Sequence, residues 1–367
     1  MRDHKPDYAL IITIFGIVIF GLVMLSSASS AVAYQKFQDS YHMLKHQLIF
    51  GVFLGTLIFI VMSRIDYRYW KKLAFPLLVI TVVLLIAVFL PGIGTGLKGA
   101  KRWISLGGLT FQPTEVVKLT FLLYLATWLE SRGRKGVSDF SYGFKPFVLI
   151  LGVIMGLIIL QPDVGTMSIV VLYSLVVYFL AGGSWSHLGL LTGGGAALLW
   201  FLVKIAPYRA NRFTVFLHPE LDPQGIGYHI NQAFLAIGSG GFFGRGFGQS
   251  RQKFQYLPEV AGDSIFAIIA EELGFIFVVL LILAFLYLMY RGFKIALDAP
   301  DLYGRLLAVG IVTWIVGQAF VNIASMTGLM PMTGIPLPLI SYGSSSMIVT
   351  LAALGILTNI SSQTKSH

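Results

Sequence analysis

The 367-residue sequence contains no cysteine, and only 11% of its residues are charged. The absence of cysteine excludes disulfide bonds, thiol catalysis and zinc or iron–sulfur sites built on cysteine. A soluble protein has about one quarter charged residues, whereas 56% of this chain is hydrophobic. These proportions argue against a soluble protein and predict a chain whose solvent is largely lipid.

Long apolar runs follow one another along the whole chain. A transmembrane helix needs about 20 mainly apolar residues, and ten runs meet this requirement. The predicted fold class is therefore all-α, a polytopic membrane helix bundle that forms a single domain over residues 1–367. The predicted spans are approximately 8–27, 44–63, 73–90, 112–130, 144–160, 164–181, 186–206, 264–290, 303–327 and 342–360.

The loops between these spans predict the orientation of the bundle. If the N-terminus is cytoplasmic, the inner loops contain most of the lysine and arginine of the short loops, as the positive-inside rule requires. Both termini are then cytoplasmic, and a large loop between the seventh and eighth spans, about 207–263, lies outside. Three outside segments do not look helical: 92–108, which is rich in glycine, the large loop with its glycine-rich run 238–248, and 330–346, which has three prolines. Such backbone at membrane depth must contact protein or a water-filled cavity, so we expect these segments to border an outer cavity.

The net charge is +10, from 26 basic and 16 acidic residues. This surplus first reflects topology, and no nucleic-acid partner is expected. Several lysine and arginine residues nevertheless lie on the predicted outer side. They would attract either anionic lipid headgroups or a phosphorylated substrate, since arginine matches phosphate oxygens. Trp103 beside them is either an interfacial anchor or a surface on which a sugar stacks. These cations are Lys98, Lys101, Arg102, Arg209, Arg212, Arg245, Arg251 and Lys253.

The stretch QYLPEVAGDSIFAIIAEELG (255–274) places four acids at the start of an apolar span. Asp263 occupies the position of an N-cap, near the outer interface. Glu271 and Glu272 lie about 12–14 Å further along a continuous helix, inside the bilayer. Asp263 is thus either a helix cap or a functional acid, and the glutamates are either polar contacts inside the bundle or functional groups, as ionisable residues in membranes commonly are.

The stretch FQPTEVVK (111–118) opens the fourth predicted span. Pro113 suits the first turn of a helix, and Glu115 complements the helix dipole there. Glu115 and Lys118 are three residues apart and share a face. They form either an intrahelical pair that neutralises two charges or part of a cavity wall. The seven histidines have no metal-binding spacing, and no metal site is predicted.

Taken together, the order of the motifs resembles the SEDS family of cell-wall polymerases, which includes FtsW, RodA and SpoVE. The resemblance covers the whole chain, and SRQKFQYLPE (250–259) is more similar to the FtsW and SpoVE branch than to RodA. The motifs that carry it are GAKRW (99–103), QPTE (112–115), QPDVGT (161–166), DPQGIGYHINQA (222–233), AIGSGGFFGRGFGQS (236–250), YLPE (256–259), AEELG (270–274) and MPMTGIPLPLISYGSSS (330–346).

The resemblance implies a peptidoglycan glycosyltransferase of the bacterial cytoplasmic membrane that polymerises lipid II, an undecaprenyl-diphosphate-linked disaccharide-pentapeptide, for cell division or shape. Its implied partners are a class B penicillin-binding protein and other divisome or elongasome membrane proteins. The family's presumed catalytic aspartate corresponds to Asp263. Cavity support is expected from Glu115, Lys118, Glu271 and Glu272, and substrate contacts from Lys101, Arg102, Trp103, Arg209, Arg212, Lys253, Glu259 and Ser341. No cofactor is required, and a divalent cation on the diphosphate would fit the chemistry without support from ligand spacing.

The sequence departs from the family pattern at two places. The family commonly has P-E-x-H-T-D-F, whereas this chain has Val260, Ala261 and Gly262 before Asp263 and Ser264 after it. Any role of that His and Thr therefore cannot be carried over. The common S-Y-G-G-S-S is Ser-Tyr-Gly-Ser-Ser-Ser at 341–346, which removes one glycine.

Two other functions fit part of this pattern. A lipid II flippase would also use membrane-depth carboxylates and non-helical segments, but it would need charged groups accessible from both faces. The motif-bearing segments here are all predicted outside. A non-catalytic scaffold for a penicillin-binding protein is the third interpretation, and it would not require Asp263.

Overall fold

The computed structural model describes residues 5–97, 100–106, 109–205, 214–222 and 224–364. Within these ranges the chain is mostly helical. The helices are α1 Tyr8–Ala28, α2 Ser30–Phe37, α3 His42–Arg64, α4 Tyr69–Ala87, α5 Pro113–Ser138, α6 Phe140–Leu160, α7 Val164–Leu180, α8 Trp185–Ile205, α9 Ile226–Gly240, α10 Ile265–Asp298, α11 Leu302–Met326 and α12 Ser344–Ser361, with a 3-10 turn at Pro219–Leu221.

Each predicted span overlaps one of these helices. By length and composition, seven helices of the described chain can cross a membrane, and α7 is a shorter apolar helix. The centre of the bundle is formed by α11 and α12, because 78% of the most apolar window of each is buried, against 22% for α4. The peripheral helices instead expose large apolar side chains, as expected for surfaces that face lipid.

Close packing around α12 depends on residues without a side chain. A Cβ atom at Gly55 of α3 would lie 2.6 Å from Leu351 Cδ1, and one at Gly355 of α12 would lie 2.6 Å from the carbonyl oxygen of Phe59. The two helices therefore contact each other through glycine on both sides. Small residues that allow backbones to approach are typical of helix packing in membranes.

A three-stranded antiparallel sheet corrects the all-α prediction. Its strands are β1 Gly94–Leu97, β2 Ala100–Leu106 and β3 Leu109–Phe111, in the order β1-β2-β3. In β2, Ile104 is buried and pairs with Gly94 on one side and Phe111 on the other. The β-branched and aromatic residues of β2 suit a strand, although its glycine-rich surroundings suggested only a loop.

The segment predicted as a long loop contains a helix, so the prediction that no part of it is helical was wrong. Helix α9 covers Ile226–Gly240 and packs directly on α10, because a Cβ atom at Gly240 would lie 1.9 Å from the carbonyl oxygen of Ala270. Its buried side includes Ile230, Ala233 and Ala236, which follow a helical spacing. Packing against α10 thus stabilises a helix in a sequence rich in glycine and polar residues.

Helix α10 is not continuous, which corrects the prediction of one unbroken span. Gly274 has φ 77° and ψ −174°, so the helix consists of a short part before it and a longer part after it. The backbone amides of Phe275 and Ile276 donate to the carbonyl oxygens of Gly241 and Phe242, at 2.9 and 3.3 Å. These bonds replace those that the break removes, as discontinuous membrane helices require.

Candidate functional site

Asp263 lies at the turn that leads into α10. The N-cap position is occupied by Ser264 rather than by Asp263, which corrects the predicted cap by one residue. Asp263 is half-buried, while Ser264 is completely buried. The turn begins at Glu259, which is exposed and has φ 50°, and its carbonyl oxygen accepts hydrogen bonds from the amides of Gly262 and Ser264 at 2.9 and 3.3 Å.

The backbone beside Asp263 is held by two other parts of the chain. The side-chain amide of Asn322, on α11, donates to the carbonyl oxygen of Asp263 at 2.8 Å. The hydroxyl of Ser341 donates to the carbonyl oxygen of Gly262 at 2.7 Å, and the amide of Tyr342 donates to that of Ala261 at 2.8 Å. Three successive carbonyls of the turn therefore have fixed donors. This arrangement orients Asp263 before any substrate binds.

Ser341 and Tyr342 belong to the proline-rich segment, residues 330–343, which has no helix and follows α11. Buried amide side chains provide donors for its carbonyls. Gln318 Nε2 donates to Pro336 O at 2.9 Å, and Asn322 Nδ2 also donates to Ile335 O at 2.8 Å. Since backbone polar groups away from water need partners, these amides permit an irregular segment to stay inside the bundle. The prediction that this segment is non-helical is confirmed up to residue 343.

The same segment is fastened at its other end by α3. The buried side chain of Gln47 accepts from the amide of Gly343 at 3.1 Å and donates to Ser341 O at 3.4 Å. Gln47 begins the π-helical part of α3, Gln47–Phe53. Such π-helical turns occur frequently at functional sites, and this one turns the amide towards the proline-rich segment.

Glu115 and Lys118 form the predicted pair on α5, with 2.8 Å between Oε2 and Nζ, and both residues are almost fully buried. Lys118 Nζ also donates to Gln318 Oε1 at 2.9 Å. That oxygen accepts a second bond from Trp314 Nε1 at 3.1 Å. A continuous polar chain therefore runs from Glu115 through Lys118 and Gln318 to the carbonyl of Pro336, which links the pair to the segment that holds Asp263.

Glu271 and Glu272 are buried where the short part of α10 ends. Glu272 accepts hydrogen bonds from Lys253 Nζ at 3.0 Å, Ser27 Oγ at 2.7 Å and the amide of Gly248 at 3.0 Å. Glu271 accepts from Ser250 Oγ at 2.5 Å and from the amide of Arg251 at 3.0 Å. The two carboxylates thus organise the glycine-rich loop, residues 241–253.

Lys253, predicted as a substrate contact, lies inside this cluster. Its ammonium group donates to Ser27 Oγ at 2.9 Å, Gly248 O at 2.7 Å and Glu272 Oε1, and only 3% of the residue is exposed. An ammonium group has three donors, and all of them have partners here. A contact with substrate would require Lys253 to exchange one of these partners.

The other predicted substrate contacts lie in different places. Arg102, on β2, donates to the backbone carbonyls of Gln161 at 2.9 Å and of Pro162, so it fastens the sheet to the turn between α6 and α7. Trp103 is half-buried on the same strand. The backbone of Lys101 is also in β2, but its side chain, like Arg209 and Arg212, lies outside the described part of the structure.

Sequence reasoning missed most of the polar groups that position Asp263. Asn322, Gln318 and Gln47 are uncharged, and the search for functional residues considered mainly charged ones. Each is a buried amide within a predicted span. Because any polar side chain inside a membrane needs a partner, a scan of the apolar runs for asparagine and glutamine would have found them.

Comparisons with known proteins agree with this architecture. A family model that covers FtsW, RodA and SpoVE and is described as "Cell cycle protein" matches residues 8–366. The probable peptidoglycan glycosyltransferase FtsW of Trichlorobacter lovleyi is 41% identical, over 99% of this chain and 95% of the relative. Stage V sporulation protein E of Bacillus subtilis is 42% identical, over 98% of each chain. A chain from a structure on the coordination of polymerization and crosslinking by a peptidoglycan synthase complex superposes with a TM-score of 0.81, at 32% identity, over 97% of both chains.

Proposed function

Because the chain belongs to the FtsW, RodA and SpoVE family of membrane proteins, we propose that it is a peptidoglycan glycosyltransferase that polymerises lipid II. The names of its relatives and the subject of the similar structure support this activity. The observation that carries the proposal is the position of Asp263, a half-buried carboxylate at the start of α10 whose backbone is fixed by Asn322 and Ser341.

In the proposed reaction, Asp263 acts as a general base. The 4-hydroxyl of the acceptor sugar attacks C1 of the donor and gives its proton to the Asp263 carboxylate. The new bond forms between the acceptor oxygen and C1, and the bond between C1 and the diphosphate oxygen breaks. A positioned carboxylate typically contributes about 10²- to 10⁴-fold to such a step, and a fixed backbone keeps it at one distance from the acceptor.

The leaving diphosphate needs positive charge, since preorganised cations stabilise charge that develops in the transition state. We assign this role to the basic residues Lys101, Arg209 and Arg212, together with Arg102 and Trp103 on the central strand of the sheet. The role of Lys253 is indirect, because its ion pair with Glu272 shapes the glycine-rich loop. Glu115 and Lys118 support the site through Gln318.

The proposed arrangement in the membrane has ten spans, with both termini in the cytoplasm and the large loop outside. This orientation places the start of α10, the sheet and the proline-rich segment on the outer face. A class B penicillin-binding protein is the proposed partner, since it would crosslink the new strand. The similarity to a chain of a peptidoglycan synthase complex supports a partner of this kind.

The experiment that tests the function follows glycan-strand formation from lipid II by the purified chain together with its cognate transpeptidase in liposomes. Asp263→Asn should decrease the rate by about 10²- to 10⁴-fold and leave the melting temperature unchanged. Glu220→Gln is the matched control, because Glu220 is an exposed carboxylate that pairs with His218 elsewhere in the large loop.

Two outcomes would contradict the proposal. Equal rates for the wild type and Asp263→Asn would remove Asp263 as the base and direct attention to Glu259. No polymer from the wild type with its partner present would favour the flippase or scaffold function instead.

A further inference from the structure

The hydroxyl of Ser264 is placed unusually for a serine at a helix N-cap. A serine in this position normally accepts a hydrogen bond from an amide of the first helical turn. Ser264 makes no such bond. Its Oγ lies 2.6 Å from His229 Nε2 and 3.4 Å from Asp263 Oδ1. The hydroxyl therefore connects two titratable side chains instead of capping the helix.

The three groups differ in their access to solvent. Ser264 is completely buried, whereas Asp263 and His229 are both half-buried. A buried hydroxyl thus lies between two groups that each have some contact with the surroundings. His229 comes from α9, in its first turns, and the close packing of α9 on α10 fixes its distance from Ser264.

We propose that Ser264 and His229 form a proton relay that removes the proton taken up by Asp263 during glycosyl transfer. The inference rests on the proposed function, in which Asp263 is the base. Both relay residues act through Asp263, and neither needs to touch the sugars.

The relay transfers one proton from Asp263 to His229. The protonated carboxyl of Asp263 donates its proton to Ser264 Oγ, while the hydroxyl proton of Ser264 passes to His229 Nε2. The imidazole must then begin as the tautomer with its proton on Nδ1, since a neutral imidazole accepts through only one nitrogen. Afterwards Asp263 is again a carboxylate, Ser264 is again a hydroxyl, and His229 is an imidazolium with protons on both nitrogens. His229 then releases one proton to water, and proton exchange with water restores the tautomer with its proton on Nδ1. No further reactant is needed.

A purely structural role for the same contacts is the competing explanation, in which the hydrogen bond only ties α9 to α10. Three substitutions separate the possibilities. His229→Gln retains a side chain that can bond to Ser264, but an amide cannot carry a proton. Ser264→Thr retains the hydroxyl, whereas Ser264→Ala removes it.

The test measures kcat and KM for glycan polymerisation by the complex of the chain with its transpeptidase partner. His229→Gln and Ser264→Ala should each decrease kcat by about 10- to 100-fold, within the range of general acid–base effects, with KM and melting temperature unchanged. Ser264→Thr should stay close to the wild type. The double variant should be no slower than either single one, because groups that act as a unit are not additive.

Chemical rescue provides a second readout. Added imidazole should restore part of the activity of His229→Ala but not of Ser264→Ala, since only the first leaves the hydroxyl in place. Ser239→Ala and His218→Ala are the controls. The hydroxyl of Ser239 donates within α9, to the carbonyl of Ala236, and His218 is exposed. Both should behave as the wild type.

Full kcat in His229→Gln, or losses confined to KM or to melting temperature, would overturn the relay. Asp263→Asn distinguishes this result from failure of the proposed function. If the wild type polymerises lipid II and Asp263→Asn does not, a fully active His229→Gln removes the relay alone. If Asp263→Asn is as active as the wild type, the proposed base is wrong and the relay fails with it.

Discussion

The short part of α10, from Ile265 to Leu273, has an acid near each end, and the two surroundings differ sharply. Glu272 is completely buried and accepts hydrogen bonds from Lys253, Ser27 and two backbone amides. Asp263 is half-buried; its carbonyl oxygen accepts from Asn322, and its Oδ1 lies 3.4 Å from the hydroxyl of Ser264. A fully buried carboxylate that accepts bonds from a lysine, a hydroxyl and two amides is therefore structural, whereas a half-buried carboxylate on a held backbone is suited to chemistry.

The largest loss of stability is expected when the cation beside Glu272 is removed. Lys253→Met should destabilise the protein by about 3–5 kcal/mol, because loss of one partner leaves a buried charge uncompensated. Thermal unfolding in detergent would measure the change. Arg251→Met is the control: Arg251 is exposed on the same loop, and its substitution should change stability by less than about 0.5 kcal/mol. Equal melting of both variants would mean that Glu272 does not need Lys253.

A smaller effect is expected at the break that separates Glu272 from the long part of α10. Gly274→Ala should cost about 1–3 kcal/mol from its backbone conformation, which is almost confined to glycine. The added Cβ would also lie 2.2 Å from the amide nitrogen of Gly244. Gly238→Ala, in α9, has open space around its Cβ and should be neutral or slightly stabilising. If Gly274→Ala melts like Gly238→Ala, the break is not required for the fold.

The smallest effect is expected at a third carboxylate, Asp301, which is the N-cap of α11. Burial alone would raise the pKa of Asp301, but hydrogen bonds from Tyr67, the Gly304 amide and Arg68 outweigh burial and hold the pKa below its usual value. Because the pKa is lower in the folded state, the stabilisation is present above the unfolded pKa of about 3.9 and is lost as pH falls through the folded pKa.

Asp301→Asn should therefore lower the free energy of unfolding by about 1–2 kcal/mol at neutral pH. The difference in stability between this variant and the wild type should disappear in strong acid. Melting temperatures measured from pH 7 down to about pH 2, below the usual pKa of the carboxyl group, would show this. Asp39→Asn is the control, since Asp39 pairs with Lys45 on the surface, where ion pairs contribute little to stability. A difference between Asp301→Asn and the wild type that grows on acidification would contradict the assigned direction.

Local sequence signals predicted much of the bundle and the position of the principal acid. Apolar runs of sufficient length located the helices, and proline and glycine located the non-helical 330–343 segment. Two features of the fold depend on contacts with other segments of the chain. Helix α9 is stabilised by its contact with α10, and the break at Gly274 is stabilised by hydrogen bonds to Gly241 and Phe242.

The candidate site likewise combines one residue that the local sequence predicted with supports that only the fold reveals. Asp263 was recognised from its motif and its position before an apolar run, but its supports come from residues far away in the chain, such as Asn322 and Ser341. Lys253 was grouped with the outer cations because its charge could be read from the sequence, whereas its burial against Glu272 could not. Composition reports which charges are present, and only the fold determines which of them have partners.

The break at Gly274 also bears on how the chain enters the membrane during synthesis. Residues 275–290 contain no charged residue, so this part of α10 can partition into lipid as a helix by itself. The part with Glu271 and Glu272 cannot do so without cost, since an ionised residue at the centre of a membrane helix costs about 2.5–3.5 kcal/mol even on insertion scales. The glycine-rich loop precedes α10 in the chain and leaves the ribosome first. The order of synthesis therefore delivers Lys253 and the loop amides before the two carboxylates that need them.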